Sequence, residues 1–260
     1  AEVKGELGSL CRADGSARFC LGDSEALASV YGPSSVLYRK EKVDQATIEV
    51  VIRPKILCGP GFPPSSSDAA LDVQSWHNFQ HNKEMEFLLQ STCEKVILVK
   101  LHPSTMISLT LQALQEGGSY LACGFNCLTL ALLNAGIPLA YTPVAVCVGV
   151  NEQGRIIVNP TLEQQKQEKL IGMATLLFSN QTLTSSSSPS PSLLAPPSST
   201  PSSSSSSSSD TLLFHLEGRL PLVCCQQPEQ LQQQLSAMTE RAKDCAKETL
   251  ALFRKCVIHG

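Results

Sequence analysis

The sequence has no apolar run approaching the roughly 18 residues of a transmembrane helix, so a helical membrane span is not expected. It has no C-x-x-C pair and no internal repeat. It also lacks an excess of positive charge: 20 Lys+Arg against 23 Asp+Glu give a net charge of -3. A chain that grips nucleic acid by itself is usually basic, because neutralised phosphates supply most of the affinity. Any RNA contact is therefore expected to be a minor share of a larger surface. The opening AEVKGELGSL has neither a basic start nor an apolar stretch, so no signal peptide is expected. The first residue is Ala1 rather than Met, so the natural start can lie upstream.

There are 11 cysteines, an odd number scattered through apolar stretches. That suits reduced, buried thiols of a cytosolic or nuclear protein better than a disulfide framework. Cys123 and Cys127 stand one helical turn apart, but no second ligand pair has a convincing spacing. No metal and no cofactor are expected.

What remains is ample material for a core, with hydrophobic residues at 42% of 260. Residues 3–10, 17–21, 25–30 and 46–53 read as short strands, separated by turns at Asp14-Gly15, Gly22-Asp23 and Gly32-Pro33. These predict an antiparallel meander. Residues 58–67 form a Gly/Pro-rich loop. A helix over 78–95 follows, with Phe79, Met85, Leu88, Leu89 and Thr92 on one face. His102-Pro103 breaks the chain before a strand at 106–113, and Gly117-Gly118 marks a close turn. Residues 121–134 are almost wholly apolar and too long for a strand, which predicts a buried helix stopped at Ala135-Gly136. Strands follow at 145–150, 155–158, 170–178 and 211–216. The last element is a helix over 230–257, with an apolar stripe of Leu231, Leu235, Met238, Ala242, Cys245, Phe253 and Cys256. Packing on a sheet explains that stripe better than a membrane surface, because the opposite face is mixed in charge and rich in Gln.

Residues 181–209 are Ser, Pro and Thr with almost nothing to bury, which predicts a disordered loop inserted between two late strands. Ser188-Pro189 and Ser190-Pro191 offer a phosphorylation reading, but neutral low-complexity expansion explains the tract better, because it need bury nothing. The element order indicates an α+β class, in a single domain spanning 1–260.

The stretch R-A-D-G-S-A-R-F-C-L-G-D-S-E-A-L-A-S-V-Y-G-P, followed by A-T-I-E-V-V-I-R-P-K, closely resembles the opening of RNase PH-like ring subunits of the RNA exosome. The similarity continues at Leu101-His102-Pro103, at L-A-C-G-F-N-C-L-T-L-A-L-L-N-A-G-I-P and at I-I-V-N-P-T. Single motifs are weak, but their order and spacing carry the resemblance. It implies the RNase PH fold (ribosomal protein S5 domain 2-like), a mixed sheet with packed helices. It implies further RNase PH-like subunits in a hexameric ring, OB- and KH-type cap subunits, RNA in a central channel, and no membrane. It also implies a location in the nucleus and nucleolus as well as the cytoplasm. Gly15, Gly22 and Gly32 read as turn residues needing permissive backbone angles, with Asp14 and Asp23 capping those turns.

Active members of this family cleave RNA from the 3′ end with inorganic phosphate. Holding phosphate against an anionic phosphodiester needs several Arg or Lys side chains and a carboxylic acid or metal ligand. The resemblance places a Gly-Gly-Thr-Arg-Thr-type loop at Gly117, Gly118, Ser119, Tyr120 and Leu121, so Tyr120 stands where the arginine is expected. It places an acid at Asn159 and another in the following segment, where Glu163 and Glu168 remain. Both glutamates also read as ordinary solvated charges. The helix expected to carry substrate arginines has none: His81, Phe87, Ser91 and Glu94 occupy the basic positions, Lys83 is the one cation of its first turns, and Glu84, Glu86 and Glu94 would repel RNA. Arg53, Lys55 and Lys100 are candidates for RNA contact, with ordinary exposed surface the competing reading. The expectation is an inactive ring member with no catalytic residue. The alternatives are a residual phosphorolytic ribonuclease using Ser119, Glu163 and Glu168, and a free homodimer that binds nucleic acid.

One expectation is independent of function. Deleting residues 184–209 should leave the melting temperature within a few degrees of the full chain, because a tract with nothing to bury contributes no core. A large fall in a thermal unfolding scan would contradict it.

Overall fold

Period-two patterning builds the first sheet. The computed structural model describes residues 2–36, 41–53, 69–115, 117–151, 154–168, 170–184, 211–218 and 228–259. Within it β1 (Val3–Leu7), β2 (Gly15–Leu21) and β3 (Ser24–Ser35) run antiparallel. Ala17, Phe19 and Leu21 turn inward from β2 while Arg18 between them stays exposed, the alternation expected of a sheet with one buried face.

The expected four-strand meander does not continue. After β4 (Thr47–Arg53) the chain passes through α1 (Ala69–Val96) and returns as β5 (Thr105–Gln115). β5 inserts between β3 and β4, giving the order β1-β2-β3-β5-β4, and β4 pairs with β5 in parallel. The physical reason is the connection: a strand–helix–strand crossover brings the chain back pointing the same way, which a hairpin cannot do. α1 begins at Ala69, before the expected position 78; Met85, Leu89 and Thr92 are its buried residues on the expected face.

The second sheet is antiparallel in the order β7-β6-β8-β9, from β6 (Pro143–Asn151), β7 (Ile156–Val158), β8 (Leu170–Ser179) and β9 (Thr211–Gly218). Between the sheets lies α2 (Tyr120–Asn134), which packs on β2 and β3 of one and β6 of the other and has residues 121–132 buried. Its buried Asn126 is satisfied on both sides of its amide: Nδ2 donates to the Ala145 carbonyl and Oδ1 accepts from the Ala145 N–H, each at 2.9 Å.

The terminal helix, α5 (Pro228–His259), lays Met238, Ala242, Ala246, Leu250 and Phe253 into the same core, so its stripe faces protein rather than a membrane surface. Phe253 meets Phe19 edge-on with ring centroids 6.0 Å apart. Two short helices were not expected: α3 (Leu162–Gln167) and α4 (Asn180–Thr184). The second corrects the start of the Ser-rich tract, since residues 181–184 are helical and Leu183 is buried. Residues 58–67 and 185–209, together with Lys55, lie outside the described residues. The buried Cys123 and Cys127 thiols donate to backbone carbonyls of β2 and β3, and burial pushes the Cys93 thiol up to about 12.

The fingerprint turn is explained partly otherwise than expected. Gly22 and Gly32 do take positive φ, at 60° and 124°, and the Asp14 carboxylate accepts the Gly32 N–H at 2.8 Å. Gly15, in contrast, is needed for space. A Cβ there would fall 2.5 Å from the Ala131 carbonyl oxygen and the Ala135 nitrogen at the end of α2. Because those neighbours are backbone, Gly15→Ala should force α2 away from β2 and cost about 1–3 kcal/mol in urea unfolding. A variant as stable as the parent would contradict this packing.

Candidate functional site

The turn between β5 and α2 is shaped by close approach. A Cβ at Gly117 would lie 2.6 Å from Ser24 Oγ and 2.8 Å from the Asp23 carbonyl carbon, so a side chain has no room. Ser119 is buried, and its N–H donates to Ser24 Oγ at 3.3 Å. Its hydroxyl does not cap α2. Tyr120, the first residue of α2, packs against the core. Gly117, Gly118 and Ser119 thus form the expected helix-entry turn, with a neutral aromatic following it.

The turn is filled by a residue that the sequence reading left unassigned. Gln165 Nε2 donates to the Gly118 carbonyl at 2.7 Å, and a Cβ at Gly118 would fall 2.1 Å from that nitrogen. Gln165 is held there by α3, whose start is a capping box: Thr161 Oγ1 accepts from Gln164 N, and Gln164 Oε1 accepts from Thr161 N. The pattern T-x-x-Q is a readable signal for a helix start, and it could have located α3 and hence Gln165.

Asn159 is likewise built into the fold. It sits just past β7 with φ of 50°, a left-handed conformation that Asn tolerates better than most residues. Its N–H donates to the Cys147 carbonyl at 2.7 Å and its Oδ1 accepts from the Cys147 N–H at 3.0 Å. Its Nδ2 donates to Cys245 Sγ on α5 at 3.3 Å. β7 pairs only with Val148, Gly149 and Val150 of β6. Beyond that point Asn159 serves Cys147 and Asn126 serves Ala145, so side-chain amides carry the ladder on where the strand stops. Burial, then the nearby Glu248 carboxylate, hold the Cys245 thiol above its ordinary range.

The other candidates are dispersed. Glu163 is exposed in the first turn of α3. Glu168 lies at the far end of that helix, 4.0 Å from Arg155, in a largely exposed pair of small energetic weight. On α1, Phe87 is 71% exposed. Glu94 pairs with Lys42 at 3.6 Å. Glu86 was expected only to repel RNA; it accepts the Ile52 N–H at 3.0 Å and pairs with Lys83 at 2.5 Å, so it finishes the edge of β4. Glu84 is exposed and Ser91 half-buried, while the His81 side chain lies outside the described residues. Arg53 and Lys100 are exposed but not neighbours. Lys100 follows Val99, whose carbonyl accepts from Ala46 at one end of β4, and Arg53 ends that strand, about 20 Å away at the rise of a β-strand.

Comparison with known proteins gives consistent matches. Residues 2–138 match the model of the 3′ exoribonuclease family, domain 1. A stretch of 175 residues is 31% identical to the Arabidopsis thaliana "Exosome complex exonuclease RRP46 homolog", covering 67% of this chain and 64% of that protein. The Oryza sativa subsp. japonica protein of the same name is 34% identical over 171 residues, covering 66% and 63%. The chain thus spans less than two thirds of the length of these curated relatives. The crystal structure of rice Rrp46 superposes with a TM-score of 0.68 at 25% identity, over 98% of this chain and 94% of that one.

Replacing Asn159 tests whether it is structural. Asn159→Ala removes the acceptor that the buried Cys147 N–H uses and should cost about 1–3 kcal/mol, read as a lower urea midpoint at unchanged slope. An unchanged midpoint would show that the amide is not part of the ladder.

Proposed function

The chain belongs to the 3′ exoribonuclease (RNase PH) family, and from that premise we propose that it is a non-catalytic subunit of an exosome-type ring. In this reading it is one RNase PH-like domain with an inserted Ser-rich segment. It pairs with other RNase PH-like subunits in a hexameric ring beneath OB- and KH-type caps, and it supports 3′–5′ RNA processing and decay by helping to thread RNA through a central channel. A nuclear, nucleolar and cytoplasmic location goes with that role.

The observation that carries the reading is the closed, neutral turn at Gly117–Gly118. Phosphorolysis needs cations around a bound anion, and among the described residues the side chains hydrogen-bonded to this turn, Ser24 and Gln165, carry no charge. Tyr120 supplies no guanidinium. Asn159 cannot act as an acid, and both ends of its amide are committed to Cys147 and Cys245. The separation of Arg53 from Lys100 favours scattered RNA contacts over one basic patch.

The relatives' names contain the word exonuclease, which favours a second reading, a residual phosphate-dependent 3′–5′ exoribonuclease. Incubating the purified chain with poly(A) and inorganic phosphate separates the two. The expected result is no nucleoside diphosphate above a no-enzyme control; steady release would overturn the non-catalytic reading. Affinity purification of the tagged chain should bring RNase PH-like partners with it. Recovery of the chain only as a homodimer would count against ring membership.

A further inference from the structure

A groove of about 400 Å³ opens where the edge strands of both sheets meet α5. Val3 of β1, Val158 of β7 and Leu252 of α5 supply its apolar lining; Asn159 and Thr249 are its buried residues, Cys245 is half-buried and Glu248 is exposed. Asn159 and Thr249 are 5% and 2% exposed, so the floor is fixed by the fold. Their polar atoms are largely engaged: Thr249 Oγ1 donates to the Cys245 carbonyl at 3.1 Å, and the Asn159 amide is held as described. Glu248 differs from them. It is exposed, and no ion pair joins it to another described residue. On the same helix, the adjacent Lys247 is 3.3 Å from Asp244.

We infer that this groove binds an alkyl cation: an aliphatic chain of about four carbons that lies along Val3, Val158 and Leu252 and carries an ammonium or guanidinium group to Glu248. The volume falls within the range of small-ligand sites. Side chains or ligands that join an apolar stem to a charged head suit a groove with an apolar side, a polar floor and a carboxylate at its edge. An anion would meet the Glu248 carboxylate, and a purely apolar ligand would leave that carboxylate facing its end. The same chemistry can come from a free alkylamine or from an Arg or Lys side chain of a neighbouring protein. The inference does not depend on the loss of catalysis or on ring membership.

Cys245 lines the groove and reports on it. The experiment follows alkylation of the full chain by iodoacetamide, residue by residue, in a mass spectrometer, with the exposed Cys11 as internal reference. Butylguanidine is the probe and butylurea its uncharged counterpart. Butylguanidine should slow the reaction at Cys245 about tenfold once it reaches ten times its half-effect concentration, leaving Cys11 unchanged. Glu248→Gln should weaken that protection about two- to fivefold. Absence of protection, equal protection by butylurea, or indifference to the substitution would each overturn the inference. Repeating the labelling on the chain purified with its partners distinguishes the sources. Protection before butylguanidine is added identifies a basic side chain of a neighbour, and protection only on addition identifies free alkyl cations.

Discussion

The two 2.9 Å hydrogen bonds between Asn126 and Ala145 hold the molecule together at its middle. α2 is buried along almost its whole length, so it must be satisfied by protein on every side. On one side it packs against β2 and β3, where Gly15 lets its last turn approach the strand backbone. On the other side a helix cannot pair with a strand through its backbone, whose bonds run along its own axis. Asn126 solves this by offering one donor and one acceptor, the pair that a strand residue would offer. The position of β6, and hence of everything hung on it, follows from that amide.

The same device recurs at Asn159, and its consequence for function is direct. A phosphorolytic site needs charge where charge develops, whereas the side chains bound at the Gly118 and Cys147 backbone are neutral amides. Gln165 fills the turn that begins α2, and Asn159 completes the edge of β6. These amides are structural members with defined partners in the fold. Glu86 shows the same economy on α1, where a carboxylate finishes a strand edge instead of facing solvent.

Much of this was legible in the sequence because it is local. The strands of the first sheet, the buried helix and the Gly117–Gly118 turn follow from period, length and turn chemistry. What was missed depends on distant partners. β4 lies parallel to β5 because of a crossover, which alternation within β4 cannot reveal. Gln165 reads as one of several exposed glutamines until α3 carries it against Gly118. Asn159 reads as an absent acid, and only the short reach of β7 gives it a purpose. Gly15 was assigned to a turn, but it begins β2 and makes room for α2 rather than adopting a special angle.

The proposed reading requires that the turn before α2 does not receive an anion. The most direct measurement follows the backbone amide resonances of Gly117, Gly118 and Ser119 while inorganic phosphate is titrated to tens of millimolar at constant ionic strength. The account predicts that these resonances stay in place, because Gln165 already occupies the turn and, among the described residues, no charged side chain is hydrogen-bonded to it. A saturable shift centred on these three residues would contradict it.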